Sequence, residues 1–498
     1  MNIYPDIQSL LEYGKNSGLF AKEDEIYVRN RILSLLRISE WEESAARSPT
    51  TSLDVMLDRI IDWAYEHGEL NANTSIERDI FDTEVMNCML ARPSEEIRTF
   101  FLNYEQSPEQ ATGRFYERSV ASNYIRADRI ARNKQWKAAT SYGEMDLTIN
   151  LAKPEKVPKE ISLMKDSQET AYPTCPLCIE NEGYRGTLRH PARATHRIIP
   201  ISLNGEDWYI QYSPYVYYNE HCIVLRKQHI PMQITRATFD RLLDFTEKFP
   251  HYFIGSNADL PIVGGSILAH DHFQGGSYVF AIEKAEIEET LRPSSHPFVT
   301  MGIVKWPMSV IRVCGSKGDV ADVSEHIWRK WQEYSDISVD ILAYTGETPH
   351  NTVTPIARRR GDLYEMDIVL RNNRTSAEHA DGIFHPYREL HHIKRENIGL
   401  IEVMGLAVLP GRLALELEQL GERLITPAKR TEWEDTLLKH WDWYKEIQQK
   451  YDNITTGNVM GILEIEVGHR FQKILEHAGV FKRTEEGKHA FSNFLKTL

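Results

Sequence analysis

Apolar residues recur at helical spacing through the first third of the chain. In DEIYVRNRILSLLR, Val28, Ile32, Leu35 and Leu36 fall on one face, and in TSLDVMLDRIIDWAYEH so do Leu53, Leu57, Ile60 and Ala64. Ser52 stands where a cap for the second helix belongs. Neither stripe carries obvious chemistry, so the region reads as a helical scaffold or interface. The charged stretch LAKPEKVPKEISLMK, residues 151–165, reads as a connector.

From about residue 196 the period changes. RIIPISLNGEDWYIQYSPYVYYNEHCIVLRKQH is rich in β-branched and aromatic residues, and Asn204-Gly205 is a strong two-residue hairpin signal. A helix follows, with Thr235 as its cap, Phe239, Leu242, Leu243, Thr246 and Phe249 on a face, and Pro250 as its stop. SYVFAI reads as another strand. Further strand signals come in MSVIRVCG, NTVTPIAR, LYEMDIVLRNN and NIGLIEVMGLAVLP, with a helix in SEHIWRKWQEYSDIS. Their order echoes the preceding strands without amounting to a repeat. In the tail, Trp433, Leu437, Trp441 and Tyr444 lie at helical spacing, a stripe that core packing explains.

Composition narrows the class. At 498 residues the chain is long enough for more than one domain, and 41% hydrophobic content supplies ordinary cores. No run approaches eighteen apolar residues, and the start lacks the basic-then-apolar layout of a secretory signal, which points to a cytoplasmic protein off the membrane. Asp plus Glu number 72 against 58 Lys plus Arg, a formal charge of −14 that opposes broad binding to nucleic acid. Five cysteines, an odd number, are too few for a disulfide framework.

Chemistry concentrates in GGSILAHDHFQGG, residues 264–276. Along an extended segment His270, His272 and Gln274 form one polar row. A neutral imidazole can attack phosphorus, an amide can donate a hydrogen bond to a phosphoryl oxygen, and glycines let backbone approach phosphate closely. A half-buried strand with ordinarily bonded histidines is the plain alternative. Upstream, Cys175 and Cys178 in TCPLC have the spacing of two zinc ligands, with a redox pair or chance as the alternatives. His229 and His270 are the natural additional ligands, which leaves His272 for attack and gives the metal a structural role.

These segments together carry a resemblance. CPLC, SPYVYYNEHCIVLRKQH and GSNADLPIVGGSILAHDHFQGG resemble the galactose-1-phosphate uridylyltransferases of the histidine-triad superfamily. The long helical leader, and AHDHFQ in place of HPHPQ, are similar to the second type of that enzyme. The likeness extends over nearly the whole chain, including FHPYRELHHIKRENIGLIEVMG.

The resemblance implies exchange of UDP-glucose and galactose 1-phosphate for UDP-galactose and glucose 1-phosphate, by ping-pong through a uridylylated histidine. It places the nucleophile on His272 and the phosphoryl-steadying amide on Gln274. Zinc ligands fall on Cys175, Cys178, His229 and His270, and uridine diphosphate contacts on Asn257, Gly264, Gly265 and Ser266. Asp271 and Phe273 replace prolines of the better-known motif, and Gly275-Gly276 replaces an apolar pair. Gln274, where nucleotide hydrolases of the superfamily typically have a third histidine, tilts the reading toward transfer rather than hydrolysis or phosphorolysis. A zinc-stabilised binding module is the non-enzymatic alternative.

The expected fold is α+β: two histidine-triad-like antiparallel half-barrel units with packed helices, preceded by a helical extension. The boundaries run 1–155 for the extension, 156–295 for the catalytic unit, 296–428 for the second unit and 429–498 for a helical tail. A homodimer is the candidate assembly. Arg126, Arg129 and Arg132 suit either a phosphate-facing row or a solvated helix face. Glu378, His379, His385, His391 and His392 read as a polar loop with no metal assigned.

Overall fold

The computed structural model describes residues 2–48, 51–152, 172–265 and 267–498. The connector expected over 151–165 falls almost wholly outside them, as does Ser266. The chain divides into two compact units. The first comprises Met1–Ala131, Ala152–Val216 and Glu220–His229, and the second Arg132–Leu151, Tyr217–Asn219 and Ile230–Leu498.

Helices build most of the first unit: Tyr4–Asn16, Glu25–Leu35, Leu53–Glu66, Ser75–Asn87, Pro93–Tyr104 and Pro108–Ala121. Three of them place proline in the first turn, where its missing N–H leaves no carbonyl unmet. The expected stripes face inward: Val28, Ile32, Leu36, Leu57, Ile60 and Ala64 join one core with Ile7, Leu10 and Val85. Thr74 caps its helix by accepting from the Glu77 N–H at 3.3 Å. Ser52 occupies the cap position of the Leu53 helix, but its side chain makes no capping bond.

Arg126 and Arg129 take a role that spacing alone does not show. Each guanidinium grips a carboxylate of the Ser75–Asn87 helix, Arg126 on Asp82 at 2.9 Å and Arg129 on Asp79 at 3.0 Å. Both are paired within the fold rather than forming a solvated row.

The helical run ends at Ile130. The hairpin of β1 (Lys134–Thr140) and β2 (Gly143–Ile149) follows, so the last part of the expected helical extension is sheet. In the first unit, β3 (Ile199–Leu203), β4 (Glu206–Tyr212) and β5 (Cys222–Arg226) pair antiparallel. Leu203 faces Glu206 across the predicted turn, and Asn204 and Gly205 both have positive φ, 50° and 76°. That is the left-handed pair a tight hairpin of this twist needs.

The second unit is organised on an antiparallel sheet. Its strands are β6 (Phe253–Gly255), β7 (His272–Gly276), β8 (Ile287–Leu291), β9 (Thr300–Val304) and β10 (Val310–Gly315). After a minimal hairpin of β11 (Tyr344–Thr345) and β12 (Thr348–Pro349) come β13 (Asn351–Arg360) and β14 (Leu363–Asn372). The order across the sheet is β7-β6-β13-β14-β10-β9-β8. Long β13 and β14 are almost entirely buried. The helices Arg236–Lys248 and Lys317–Glu333 pack against them, and Asp367 receives Arg312 at 2.7 Å and Arg358 at 2.6 Å. The predicted helix face of Phe239, Leu242, Leu243, Thr246 and Phe249 is buried. Its first turn closes through the Thr235 N–H, which donates to Thr238 Oγ1 at 3.0 Å.

A smaller sheet, β1-β2-β15, adds β15 (Leu406–Leu409) parallel to β2. The C-terminal helix Val459–Ala478 approaches β1 so closely that a Cβ on Gly468 would sit 2.3 Å from that of Ala138. Helix Leu413–Ile425 follows β15, and Trp441–Lys450 and Glu485–Leu495 complete the tail. The observed class is therefore α+β, with antiparallel sheet and a helical N-terminal region.

Three local expectations are corrected. SYVFAI is not a strand: residues 277–280 are irregular and Ala281–Lys284 is a helical turn. Its apolar run instead feeds an aromatic cluster, with Phe280 against Tyr218 and Phe253 at 5.1 Å. In NIGLIEVMGLAVLP only Leu406–Leu409 is extended, and Leu400–Val403 is a helical turn. Trp433 and Leu437 precede the helix that begins at Trp441, yet Trp433 packs on Trp441 and Tyr444 at 5.0 and 4.8 Å.

Candidate active site

The segment 264–276 is only partly extended. His270 lies in a bend ahead of β7, fully buried, so the polar row on the strand is His272 and Gln274. Phe273 points to the opposite side and is buried. Two backbone bonds pin the approach to β7: the Asp271 N–H donates to the Ile230 carbonyl at 2.8 Å, and the Met232 N–H to the Leu268 carbonyl at 2.9 Å. Arg241 stands 3.8 Å from the Asp271 carboxylate. Asp271 thus holds the strand entry by polar contacts, where the better-known motif has proline.

His272 has the features of a nucleophile. Its side chain is 6% exposed, and burial pushes its pKa down to about 4 despite the carbonyl contact of His270, leaving the ring neutral near pH 7. His272 Nδ1 lies 2.8 Å from the His270 carbonyl oxygen. A carbonyl only accepts, so Nδ1 carries the proton and Nε2 the lone pair. Two residues on, Gln274 stands opposite Gly255 of β6. A Cβ at Gly255 would meet Leu400 Cδ1 at 2.8 Å and the Pro355 carbonyl at 3.0 Å, so glycine lets β6 sit this close to its neighbours.

The loop after β6 is equally tight. Any Cβ at Gly264 would lie 2.5 Å from the Ala258 carbonyl and 2.6 Å from that of Leu260, and one at Gly265 would lie 2.8 Å from Asn257 Nδ2. Asn257, Gly264 and Gly265 thus form one closed turn. Asn257 Oδ1 accepts from the Leu400 N–H at 2.9 Å, so the side chain spends its oxygen on the protein and keeps Nδ2 for other contacts. The Gly399 N–H donates to Glu402 at 3.1 Å, and Lys394 reaches Glu402 at 2.9 Å. Long-range anchoring of this kind leaves no spacing signal in sequence.

In the first unit, the Cys175 and Cys178 sulfurs lie 3.5 Å apart and Cys178 Sγ is 3.1 Å from His229 Nδ1. Burial, with the adjoining Cys175 thiol, pushes Cys178 up to about 12. A divalent cation between the sulfurs reverses that preference, and two thiols with imidazole suit zinc. Cys175, Cys178 and His229 thus gather three metal-ligating side chains within the first unit, and His270 is the fourth ligand the sequence predicts. None of the five cysteines is in a disulfide.

The His-rich stretch is largely irregular, and it is not simply a polar loop, since His385 and His392 are buried. His392 Nδ1 meets His440 Nδ1 at 2.8 Å, and His440 Nε2 meets Glu416 at 3.0 Å. No described helix is long and apolar enough to cross a membrane.

Comparison with known proteins places the chain in a family. The family model described as galactose-1-phosphate uridyl transferase, N-terminal domain, matches residues 18–231, and its C-terminal domain counterpart matches 245–436. The galactose-1-phosphate uridylyltransferase of Halalkalibacterium halodurans is 54% identical, over 99% of this chain and 98% of its own. That of Bacillus subtilis is 52% identical, over 100% and 98%. Yeast Ap4A phosphorylase Apa2 aligns over 64% of this chain and 96% of its own at 10% identity and a TM-score of 0.33, too distant a likeness to carry an argument. Such matches make the protein a nucleotidyltransferase. The chain belongs to the galactose-1-phosphate uridylyltransferase family.

Proposed function

We propose that the protein transfers the uridylyl group of UDP-glucose to galactose 1-phosphate through His272. The supporting observation is the neutral His272 ring with Nδ1–H given to the His270 carbonyl and the lone pair on Nε2. In the first half-reaction Nε2 bonds to the α-phosphorus, the bond from that phosphorus to the bridging oxygen breaks, and glucose 1-phosphate leaves with the electron pair. The His270 carbonyl then faces the Nδ1–H of a cationic uridylyl-imidazolium, which it stabilises. A phosphate oxygen of galactose 1-phosphate attacks in the second half, the N–P bond breaks, and His272 recovers its lone pair as UDP-galactose forms. Gln274 donates to the phosphoryl oxygens, while Asn257, Gly264, Gly265 and Ser266 contact the diphosphate.

Residues 156–295 do the catalytic work on this reading, with 296–428 as the related second unit and 1–155 and 429–498 as flanking segments. Cys175, Cys178, His229 and His270 hold a structural zinc, which when bound fixes the segment leading into β7. The enzyme acts in the cytoplasm, and a homodimer is its proposed assembly.

The test is intact-protein mass after mixing stoichiometric enzyme with UDP-glucose, followed by galactose 1-phosphate. A uridylyl adduct on wild type but not on His272→Ala, discharged as UDP-galactose, supports the reading. Free UMP without an acceptor would shift it to hydrolysis. An equal adduct on the alanine variant would move the nucleophile elsewhere. Metal analysis of protein purified without chelator is expected to give about one zinc per chain, lost in Cys178→Ser.

A further inference from the structure

A cavity of about 290 Å³ opens within the first unit. Four arginines line it, Arg126, Arg129, Arg189 and Arg193, against one acid, Asp79. In a chain of formal charge −14 this is a local reversal of sign. Arg126 and Arg129 are neutralised by Asp82 and Asp79.

Arg193 is not neutralised. Its side chain belongs to a residue only 9% exposed, and no carboxylate pairs with it among the described residues. Its neighbours are the Tyr124 hydroxyl, 3.4 Å from Nη1, and the Tyr124 ring, 5.5 Å from the guanidinium carbon. A buried guanidinium with several donors and no anion is costly unless a ligand supplies the charge. A second observation points the same way. Thr195, also in the cavity wall, is 2% exposed, and its Oγ1 is buried with no hydrogen-bond partner among the described residues. Both lie on one short segment, held by the Arg193 N–H on the Tyr184 carbonyl and the His196 N–H on the Arg193 carbonyl, each at 2.9 Å. The remaining wall is largely apolar and aromatic, including Ile76, Leu188, Pro214 and Tyr215.

We propose that this cavity is a binding site for a small phosphate monoester, with Arg193 and Thr195 holding the phosphate and the apolar wall covering the organic group. Arginine's planar fork matches two phosphate oxygens, and a threonine hydroxyl donates to the third. The volume accommodates a hexose phosphate or a nucleoside monophosphate. The inference rests on the first unit alone and does not depend on the transferase reading.

Calorimetric titration of full-length His272→Ala with galactose 1-phosphate and, separately, UMP tests it. Because no covalent adduct can form on that residue, failure of the transferase reading leaves this measurement intact. For at least one ligand, a binding event is expected that weakens tenfold or more when Arg193→Met is added and several-fold with Thr195→Val. The ligand that shows this loss identifies the organic group, and inorganic phosphate competing equally at that event would assign the site to phosphate itself. Should Arg193→Met fail to fold, Arg193→Lys, which keeps charge but loses the fork, together with Thr195→Val decides. Unchanged affinities for both ligands in folded Arg193 and Thr195 variants, or no binding sensitive to either, would overturn the proposal.

Discussion

Two buried histidines in different parts of the second unit show what burial does and does not confer. His272, on β7, and His440, ahead of the C-terminal helices, are 6% and 0% exposed, and burial lowers the pKa of both. Each is therefore a neutral ring near pH 7. They differ in how their nitrogens are used. His272 commits Nδ1 to a backbone carbonyl and leaves its lone pair on Nε2. His440 commits both nitrogens: Nε2–H donates to the Glu416 carboxylate, so Nδ1 must accept from His392 Nδ1–H. Glu416 is further held by Lys439 at 2.5 Å and by Arg412. One site keeps a lone pair in hand, and the other is a closed chain of hydrogen bonds. A low pKa alone does not tell the proposed nucleophile from a structural histidine; the uncommitted nitrogen is what sets His272 apart from His440.

The largest effect should separate the two sites outright. His272→Ala is expected to lose at least about 10⁴-fold in kcat and to form no uridylyl adduct, since no neighbouring group can replace an attacking nitrogen. His440→Ala should keep kcat within a few-fold. Comparable loss of turnover in a folded His440→Ala enzyme would break the distinction.

Next is Gln274, which shares a strand face with His272. Removing one donor to a developing charge typically costs about 10²-fold, and Gln274→Ala should show that loss in kcat with a smaller change in KM. A loss in KM alone would make Gln274 a ground-state contact only. Stability sorts the other way: His440→Ala should destabilise by about 2 kcal/mol, read from urea midpoints, because it leaves the buried His392 Nδ1–H without its acceptor and removes one of the partners of Glu416.

The same contrast explains what could be read from sequence. The placement of His272 and Gln274 on one strand, and the meeting of the CPLC cysteines with His229, were legible because these residues stand in short motifs whose spacing is local. Helical stripes such as Leu57, Ile60 and Ala64 and the Asn204-Gly205 turn were legible for the same reason: period and turn geometry are local. His270 was misplaced on the strand because a motif does not reveal where extension begins. Hidden altogether were contacts across long separations, such as Asn257 with Leu400 or His392 with Glu416 through His440. No periodicity encodes them, and apolar runs such as SYVFAI mislead when the fold needs aromatic packing rather than another ladder.

The smallest effect concerns acid. Burial, with His440 and the cations Arg470, Arg412 and Lys439 adding to it, lowers His392 to about 2. Glu416 also falls to about 2, its bonds to His440 and Lys439 outweighing burial. Between about pH 6.5 and 2 the unfolded chain binds a proton that folded His392 refuses, and His440, lowered by burial, acts in the same direction, so this part of the stability rises with pH and is lost on acidification. Glu416 acts in the same direction below about 4.5. His392 contributes a slope of up to about 1.4 kcal/mol per pH unit across that window. Replacing His392 by Phe removes one such titration without leaving a charge behind. Urea unfolding at intervals from pH 7 to 5 should therefore give a flatter pH dependence in His392→Phe than in wild type, with adduct formation at His272 retained. If the slopes coincide, the His392–His440 chain already takes up a proton in the folded state, and its closed hydrogen bonding is not what sets it apart from His272.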